Sequence, residues 1–289
     1  MKVLAFDIGG TKIFSAIINE NGEIISEIEK NKTPNDLSEI ENLFKSIIKK
    51  HEKEVDKIAF STAGAVNNEH SKVISSTGNL VEGYSSLEFC SFSNKPVYVE
   101  NDANCAAWAE HVIGVTKGMP NSIMITLGTG VGGGIIVNNK LLKGKSGAAG
   151  EMHFKMRTDN HRKCTCGSYD CYESYASGQG LKKTAEEITN NPNVTTYDVI
   201  KGVGNNDRIM LECFNKWQND ILNGLVGLAN IFDPDCIVFS GSMAEFIDTN
   251  YLEKNLNEQI NTMPTKVLKA VSGNYAGMIG AALLALGEK

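Results

Sequence analysis

Two stretches of the chain repeat one pattern of apolar and polar positions. Residues 3–12, Val-Leu-Ala-Phe-Asp-Ile-Gly-Gly-Thr-Lys, and residues 123–132, Ile-Met-Ile-Thr-Leu-Gly-Thr-Gly-Val-Gly, each run a short apolar strand into a turn of glycine and threonine. A second apolar strand follows each turn, at 13–18 and 133–137, and each ends at an Asn-rich corner, Asn19-Glu20-Asn21-Gly22 or Asn138-Asn139-Lys140. Asn and Gly accept the positive φ of tight hairpins, so the pattern predicts one supersecondary unit used twice. In the first copy a third strand is expected through residue 25.

Between the copies the period changes. Leu37, Ile40, Leu43, Phe44, Ile47 and Ile48 recur at spacings of three and four, which predicts a helix with one apolar face. Strands are expected at 57–61, feeding the loop Thr62-Ala63-Gly64-Ala65-Val66, and at 97–100, ending at Asn101-Asp102 before an alanine-rich helix at 103–113. Beyond the second copy, helices are expected at 181–188, stopped by Asn190-Asn191-Pro192-Asn193, and at 208–230. A strand at 236–239 then leads to Ser240-Gly241-Ser242, and a closing helix at 276–286 sets Gly277 and Gly280 among alanines and leucines, a composition suited to close packing. Strands alternating with helices imply an α/β protein.

Length and charge narrow the function. The 289 residues suffice for two domains, and 42% hydrophobic with 21% charged residues is an ordinary soluble composition. A net charge of −6 opposes a general nucleic-acid surface and leaves small anions as ligands. The first strand begins at about residue 2, which leaves no room for a cleavable leader, and no apolar run approaches the ~20 residues that span a bilayer. A cytoplasmic protein without membrane or nucleic-acid partners is expected. Of seven cysteines, Cys90, Cys105, Cys213 and Cys236 stand alone and are expected to be reduced and buried.

The chemistry-bearing positions cluster at strand ends. A turn of glycine and threonine offers backbone N–H groups and hydroxyls to anionic oxygens, so each repeated turn reads either as a phosphate cradle or as an ordinary hairpin. Neither is a Walker A loop or a G-x-G-x-x-G fingerprint opening a helix. Asp7 would repel phosphate directly, so it either holds a hydrated Mg²⁺ or caps its turn. Thr11 and Lys12 could reach phosphate oxygens, although Lys12 equally suits a solvated strand. In Glu100-Asn101-Asp102-Ala103-Asn104, Asp102 is the candidate general base, and Asp or Asn at this point is equally a helix N-cap. Cys164-Thr165-Cys166-Gly167-Ser168-Tyr169-Asp170-Cys171, with His153 and His161 upstream, can supply three sulfurs and one nitrogen to a tetrahedral zinc.

Gly64, Asn79-Leu80, residues 100–104, the glycine run 128–134, Glu151 and the cysteine cluster occur in one order, ending with Ala276-Gly277-Met278-Ile279-Gly280-Ala281-Ala282. In this the chain resembles the ROK family of bacterial sugar kinases and repressors over nearly its full length, within the wider sugar kinase, Hsp70 and actin superfamily. The resemblance implies an actin-like ATPase (ribonuclease H-like) fold of two α/β domains with a cleft. The smaller domain would comprise residues 1–110 plus the helix 276–289, and the larger, residues 111–275, would carry the cysteine cluster and a homodimer interface. It also implies an ATP- and Mg²⁺-dependent kinase in which Asp102 deprotonates a sugar 6-hydroxyl. Gly64, Asn79, Asn101, Glu151, His153 and Glu173 match sugar-binding positions. Gly9, Gly10, Thr11 and Lys12 match the first phosphate motif, Thr129 and Gly130 the second, and Gly241 the adenosine motif.

The chain departs from the family pattern twice. Glu151-Met152-His153 is one residue shorter than the usual Glu-x-Gly-His, and Asp170 stands where glycine is usual. The first departure is expected to displace His153 from sugar and metal, with His161 as reserve ligand to the zinc of Cys164, Cys166 and Cys171. The second is expected to add bulk and backbone strain, and the alternative is a metal-free loop. The Cys-x-Cys-Gly-Ser-x-x-Cys stretch followed by Tyr-Ala-Ser-Gly is similar to that of the kinases of N-acetylmannosamine. That sugar is the first expectation, followed by glucose, then N-acetylglucosamine or fructose. A ROK repressor would carry a helix-turn-helix before the first strand. A non-catalytic sugar binder would not need Asp7, Asp102 and both turns.

Overall fold

β1 (Lys2–Ile8) and β2 (Lys12–Asn19) form the first expected hairpin, in antiparallel register from Lys2↔Asn19 to Ile8↔Ile13. The third strand lies later than expected. Ile24 makes only an isolated bridge to Ile18, and β3 is Glu29–Lys32, an exposed polar edge strand without apolar alternation. α1 (Leu37–His51) buries Ile40, Phe44, Ile47 and Ile48, and Asp36 caps it by accepting from the Ser38 and Glu39 N–H groups. β4 (Lys57–Thr62), the short β5 (Ala65–Val66) and β6 (Val73–Ser75), β7 (Val97–Asn101) and α2 (Asp102–Val112) follow.

In the computed structural model, which describes residues 1–75 and 80–287, the first sheet has the order β3-β2-β1-β4-β7. β1, β4 and β7 run parallel, with Asp7 beside Ser61 and Thr62 beside Asn101. Their carboxyl ends therefore present Asp7, Ser61 and Asn101 along one edge, where ligands of open α/β sheets bind. Beneath it lies an aromatic core. Phe6 stacks on Phe60 at 4.7 Å, and Phe60 meets Phe44 at 5.2 Å and Phe89 at 5.0 Å. Such pairs each add about 0.5–1.5 kcal/mol beyond area burial, so the floor under the strand ends is stiff.

In the second sheet, of order β10-β9-β8-β11-β12, β8 (Ser122–Leu127) is followed by β9 (Val131–Val137) and β10 (Lys140–Leu141). Asn138 and Asn139 turn the β9–β10 corner at φ 53° and 61°, as their residue types predict. The helices α3 (Glu173–Ala176), α4 (Gly178–Thr189), α5 (Thr196–Gly204) and α6 (Arg208–Phe232) precede β11 (Cys236–Ser240), α7 (Thr249–Asn257) and β12 (Lys266–Lys269). β11 runs parallel to both β8 and β12. α8 (Ala276–Leu286) closes the chain and packs on α2, where a Cβ on Gly280 would collide with the Cys105 carbonyl. Among the described residues no helix is long and apolar enough to cross a membrane.

The chain divides into two units: Met1–Pro120, Gly134–Gly150 and Val271–Lys289 in one, Asn121–Gly133 and Glu151–Ala270 in the other. Residues 111–120, 134–150 and 271–275, expected in the larger domain, thus lie in the first unit. The buried Glu110 carboxylate at the end of α2 accounts for two of these segments, accepting the N–H groups of Val115 at 2.7 Å, Val271 at 2.8 Å and Ser272 at 2.6 Å. Of the four isolated cysteines, Cys105, Cys213 and Cys236 are buried as expected, whereas Cys90 is exposed.

Candidate active site

Asp7 is the penultimate residue of β1, and its Oδ1 accepts the Ser61 hydroxyl at 2.9 Å. Gly277, in the first turn of α8, lies so near that a Cβ would come within 2.7 Å of the same oxygen. Burial pushes the Asp7 carboxyl up to about 6, against the lowering effect of Ser61. A carboxylate so short of partners suits a cation, which fits the expected Mg²⁺ role. Gly9, Gly10, Thr11 and Lys12 are all exposed in the turn that follows. Thr33, a residue that sequence reasoning missed, braces this turn: its hydroxyl donates to Gly9 O at 2.6 Å and its N–H to Thr11 O at 3.1 Å.

The second candidate group of the first unit gathers where β7 enters α2. Asn101, not Asp102, takes the N-cap: its Oδ1 accepts the N–H groups of Ala103 and Asn104, and its Nδ2 donates to Gly64 O at 3.0 Å. Gly64 sits at φ 95°, where any Cβ would collide with the Ser75 carbonyl. Asp102 is left exposed at the first helical position, where Oδ1 accepts the Ala103 N–H at 2.8 Å. Asn79 lies outside the described residues.

In the second unit the β8–β9 turn is held from three sides. Gly128 N–H donates to Gly130 O at 3.0 Å, Gly178 N–H to Gly128 O at 2.9 Å, and Val131 N–H to Glu173 Oε2 at 3.0 Å. Thr129 is exposed at its tip. Gly241 turns at φ 90° beyond β11, close against the Leu127 carbonyl at the end of β8. The second turn and Gly241 thus share neighbouring strand ends.

Glu173, buried at the start of α3, also receives the Thr165 hydroxyl at 2.5 Å and the Cys164 thiol at 3.5 Å on Oε1. It thereby links the cysteine loop to the second turn. His153 Nδ1, Cys164, Cys166 and Cys171 bring their ligand atoms within 4.8 Å of one another, with Cys164 Sγ 3.7 Å from Nδ1 and Cys166 Sγ 3.6 Å from Cys171 Sγ. Tetrahedral zinc with bonds of about 2.3 Å to sulfur spaces its ligands at about 3.8 Å, so these four fit the ion. His153 Nε2 faces Glu151 Oε2 at 3.7 Å, an outer carboxylate of the kind that orients a ligating histidine. The shortened Glu151-Met152-His153 segment therefore keeps His153 in the cluster. His161 lies elsewhere, paired with Glu187 at 3.1 Å.

Asp170 adopts φ 58°, the left-handed conformation for which glycine is suited, and turns it to use. Its buried carboxylate accepts the N–H groups of His161 at 3.0 Å and Arg162 at 2.8 Å and the Tyr175 hydroxyl at 2.7 Å. Burial opposes its charge, but these donors hold its carboxyl down to about 2. Arg162, buried and absent from the sequence-derived list, completes the brace with bonds to Glu187, Thr184 Oγ1 and the Ser174 carbonyl. Sequence spacing carries no signal for it, because its partners lie 12 to 25 residues away.

Comparison with known proteins places these features in a family. A glucokinase of Streptomyces coelicolor is 33% identical, over 98% of this chain and 96% of its own length. An N-acetylmannosamine kinase of Escherichia fergusonii is 29% identical over the full length of both. The crystal structure of a ROK family glucokinase from Streptomyces griseus, in complex with glucose and AMPPNP, superposes with a TM-score of 0.81 at 29% identity and covers 99% of each chain. The ROK family model itself matches residues 3–288. With its two mixed sheets in the actin-like ATPase fold and a family match across nearly every residue, the chain belongs to the ROK family.

Proposed function

We propose that the protein is an ATP- and Mg²⁺-dependent sugar kinase acting on the 6-hydroxyl of a hexose or N-acetylhexosamine, with N-acetylmannosamine first. The observation that carries this reading is the division of labour at the start of α2: Asn101 takes the cap, so Asp102 stands exposed at the first helical position. The Asp102 carboxylate, whose Oδ1 also accepts the Ala103 N–H, is thus not the cap itself. Exposed at this position, beside a sugar-binding strand end, it is placed to accept a hydroxyl proton as the oxygen attacks phosphorus.

Asn101, Gly64, Asn79, Glu151 and His153 position the sugar. Glu173 keeps acceptor capacity beyond its bonds to Thr165, Cys164 and Val131, because a carboxylate offers about four lone-pair sites. The turns Gly9–Lys12 and Thr129–Gly130 bind phosphate oxygens, the Gly9 N–H itself closing the first turn onto Lys12 O at 3.0 Å, and Gly241 lies at the adenosine. Mg²⁺, when bound through water to Asp7, supplies the positive charge that neutralises the transferring phosphoryl group. A zinc ion on His153, Cys164, Cys166 and Cys171 holds the loop that orients Glu173. Glucose is the second reading, supported by the 33% identity to a glucokinase.

A 6-deoxy analogue of the preferred sugar tests the position of attack. It should compete with the sugar yet accept no phosphoryl group. Phosphorylation of the analogue at normal rate would overturn the 6-hydroxyl assignment.

A further inference from the structure

Glu100 stands two residues before Asp102 with its side chain wholly buried, and no step described above uses it. Its Oε1 accepts the Asn101 N–H at 2.8 Å, Asn104 Nδ2 at 3.0 Å and Lys143 Nζ at 2.7 Å. Its Oε2 lies 2.7 Å from Lys143 Nζ and 3.1 Å from His70 Nδ1. The His70 ring stacks on Tyr98 at 4.2 Å, with Tyr98 Oη 3.2 Å from Nε2. One carboxylate thus gathers the loop before β6, the end of β7, the first turn of α2 and the segment after β10, all within the first unit. An apolar replacement of similar volume is often no less stable than a buried ion pair, so net stability alone does not account for this one. What it does fix is geometry: the bonded N–H belongs to Asn101, and the peptide that follows carries Asp102.

We propose that Glu100 and Lys143 are the positioning pair of this site, Lys143 holding the Glu100 carboxylate in place and Glu100 holding the Asn101–Asp102 backbone in the orientation the base requires. This rests on the reading of Asp102 as base. Four titratable groups face or adjoin Glu100: His70 and Lys143 from the two loops, and Asp102 and Cys105 from α2. Burial works to raise its pKa, and His70, Lys143 and Asn104 together hold it below the ordinary carboxylate value. Without Lys143, the buried carboxylate loses the cationic partner that offsets its burial and takes up a proton at higher pH.

The test is the pH profile of kcat, with KM for sugar and ATP, in wild type, Lys143→Met, Glu100→Gln/Lys143→Met and Asp102→Asn. Lys143→Met should lower kcat by about 10- to 100-fold with sugar KM within about threefold, the size expected when a reacting group is misplaced by about 1 Å. Its acid limb should move up by about one pH unit or more. The double variant, which leaves no buried charge, should return the limb to its wild-type position, an electrostatic rescue that a purely structural role would not produce. Lys143→Gln carries the same readout if Lys143→Met does not fold. An unchanged profile in either Lys143 variant, beside an inactive Asp102→Asn, would overturn the pair alone. An Asp102→Asn variant at wild-type rate would overturn the base assignment and the pair's role together.

Discussion

The Val131 N–H donates to Glu173 Oε2 at 3.0 Å, so the second glycine turn is fastened to the first residue of α3, just past the cysteine cluster. A Cβ on Gly130 would come within 2.5 Å of the same oxygen. Gly130→Ala should therefore push the carboxylate away, raise KM for ATP more than KM for sugar, and lower stability by about 1–3 kcal/mol as overpacking does. Nucleotide titration and urea unfolding check both. Equal changes in the two KM values would mean that the turn does not serve the nucleotide.

Asp7 sets stability against function. Its carboxyl is pushed up to about 6 from 3.8, so the folded state prefers the neutral form. The sign follows: Asp7 costs nothing below about pH 4 and destabilises the fold as pH rises through about 6. Asp7→Asn should be more stable than wild type at pH 8, by about 1–3 kcal/mol, equal to it near pH 4, and deficient in Mg²⁺-dependent turnover. Thermal melts at the two pH values decide this. A variant less stable at pH 8 would show that Asp7 is structurally satisfied without a cation.

Asp170 combines a backbone conformation with three hydrogen bonds. Asp170→Gly keeps the first and loses the second, and Asp170→Ala loses both. Melting temperatures should fall in the order wild type, Asp170→Gly, Asp170→Ala. If alanine equals glycine, the φ of 58° carries no cost.

The cysteine cluster yields a metal prediction. Protein purified without chelator should hold close to one zinc per chain, and Cys164→Ser or chelation should lower the melting temperature even where Mg²⁺ is restored. Burial pushes the Cys171 thiol up to about 12, a protonated state that a bound cation would reverse. No metal, and melting indifferent to chelator, would mean the loop folds by packing alone.

What the sequence disclosed, and what it hid, follows from the range of the interactions. The repeated hairpins, their Asn corners and the apolar face of α1 depend on neighbours within four residues, and they were legible. β3 was not, because an edge strand exposed on one side needs no apolar alternation. α5 and α7 were missed as short helices of nine residues each, too short for a repeated apolar face to stand out, although the Thr195–Asp198 capping box at α5 was a usable signal. The site divides in the same way. Asp102, both turns and the cysteine set came from local motifs, whereas Thr33, Arg162, Lys143 and Glu110 act through partners 12 to 162 residues away. No period or spacing announces such pairs. The choice between Asn101 and Asp102 as cap was open in the sequence, since either residue type serves, and the fold resolves it.

The most direct measurement is ATP consumption by wild type and Asp102→Asn with Mg²⁺ across N-acetylmannosamine, glucose, N-acetylglucosamine, mannose and fructose, compared as kcat/KM. The account predicts a clear preference for one sugar, N-acetylmannosamine first, and a loss of about 100-fold or more in kcat on that sugar for Asp102→Asn. Negligible turnover on every sugar, or an Asp102→Asn variant as fast as wild type, would contradict it.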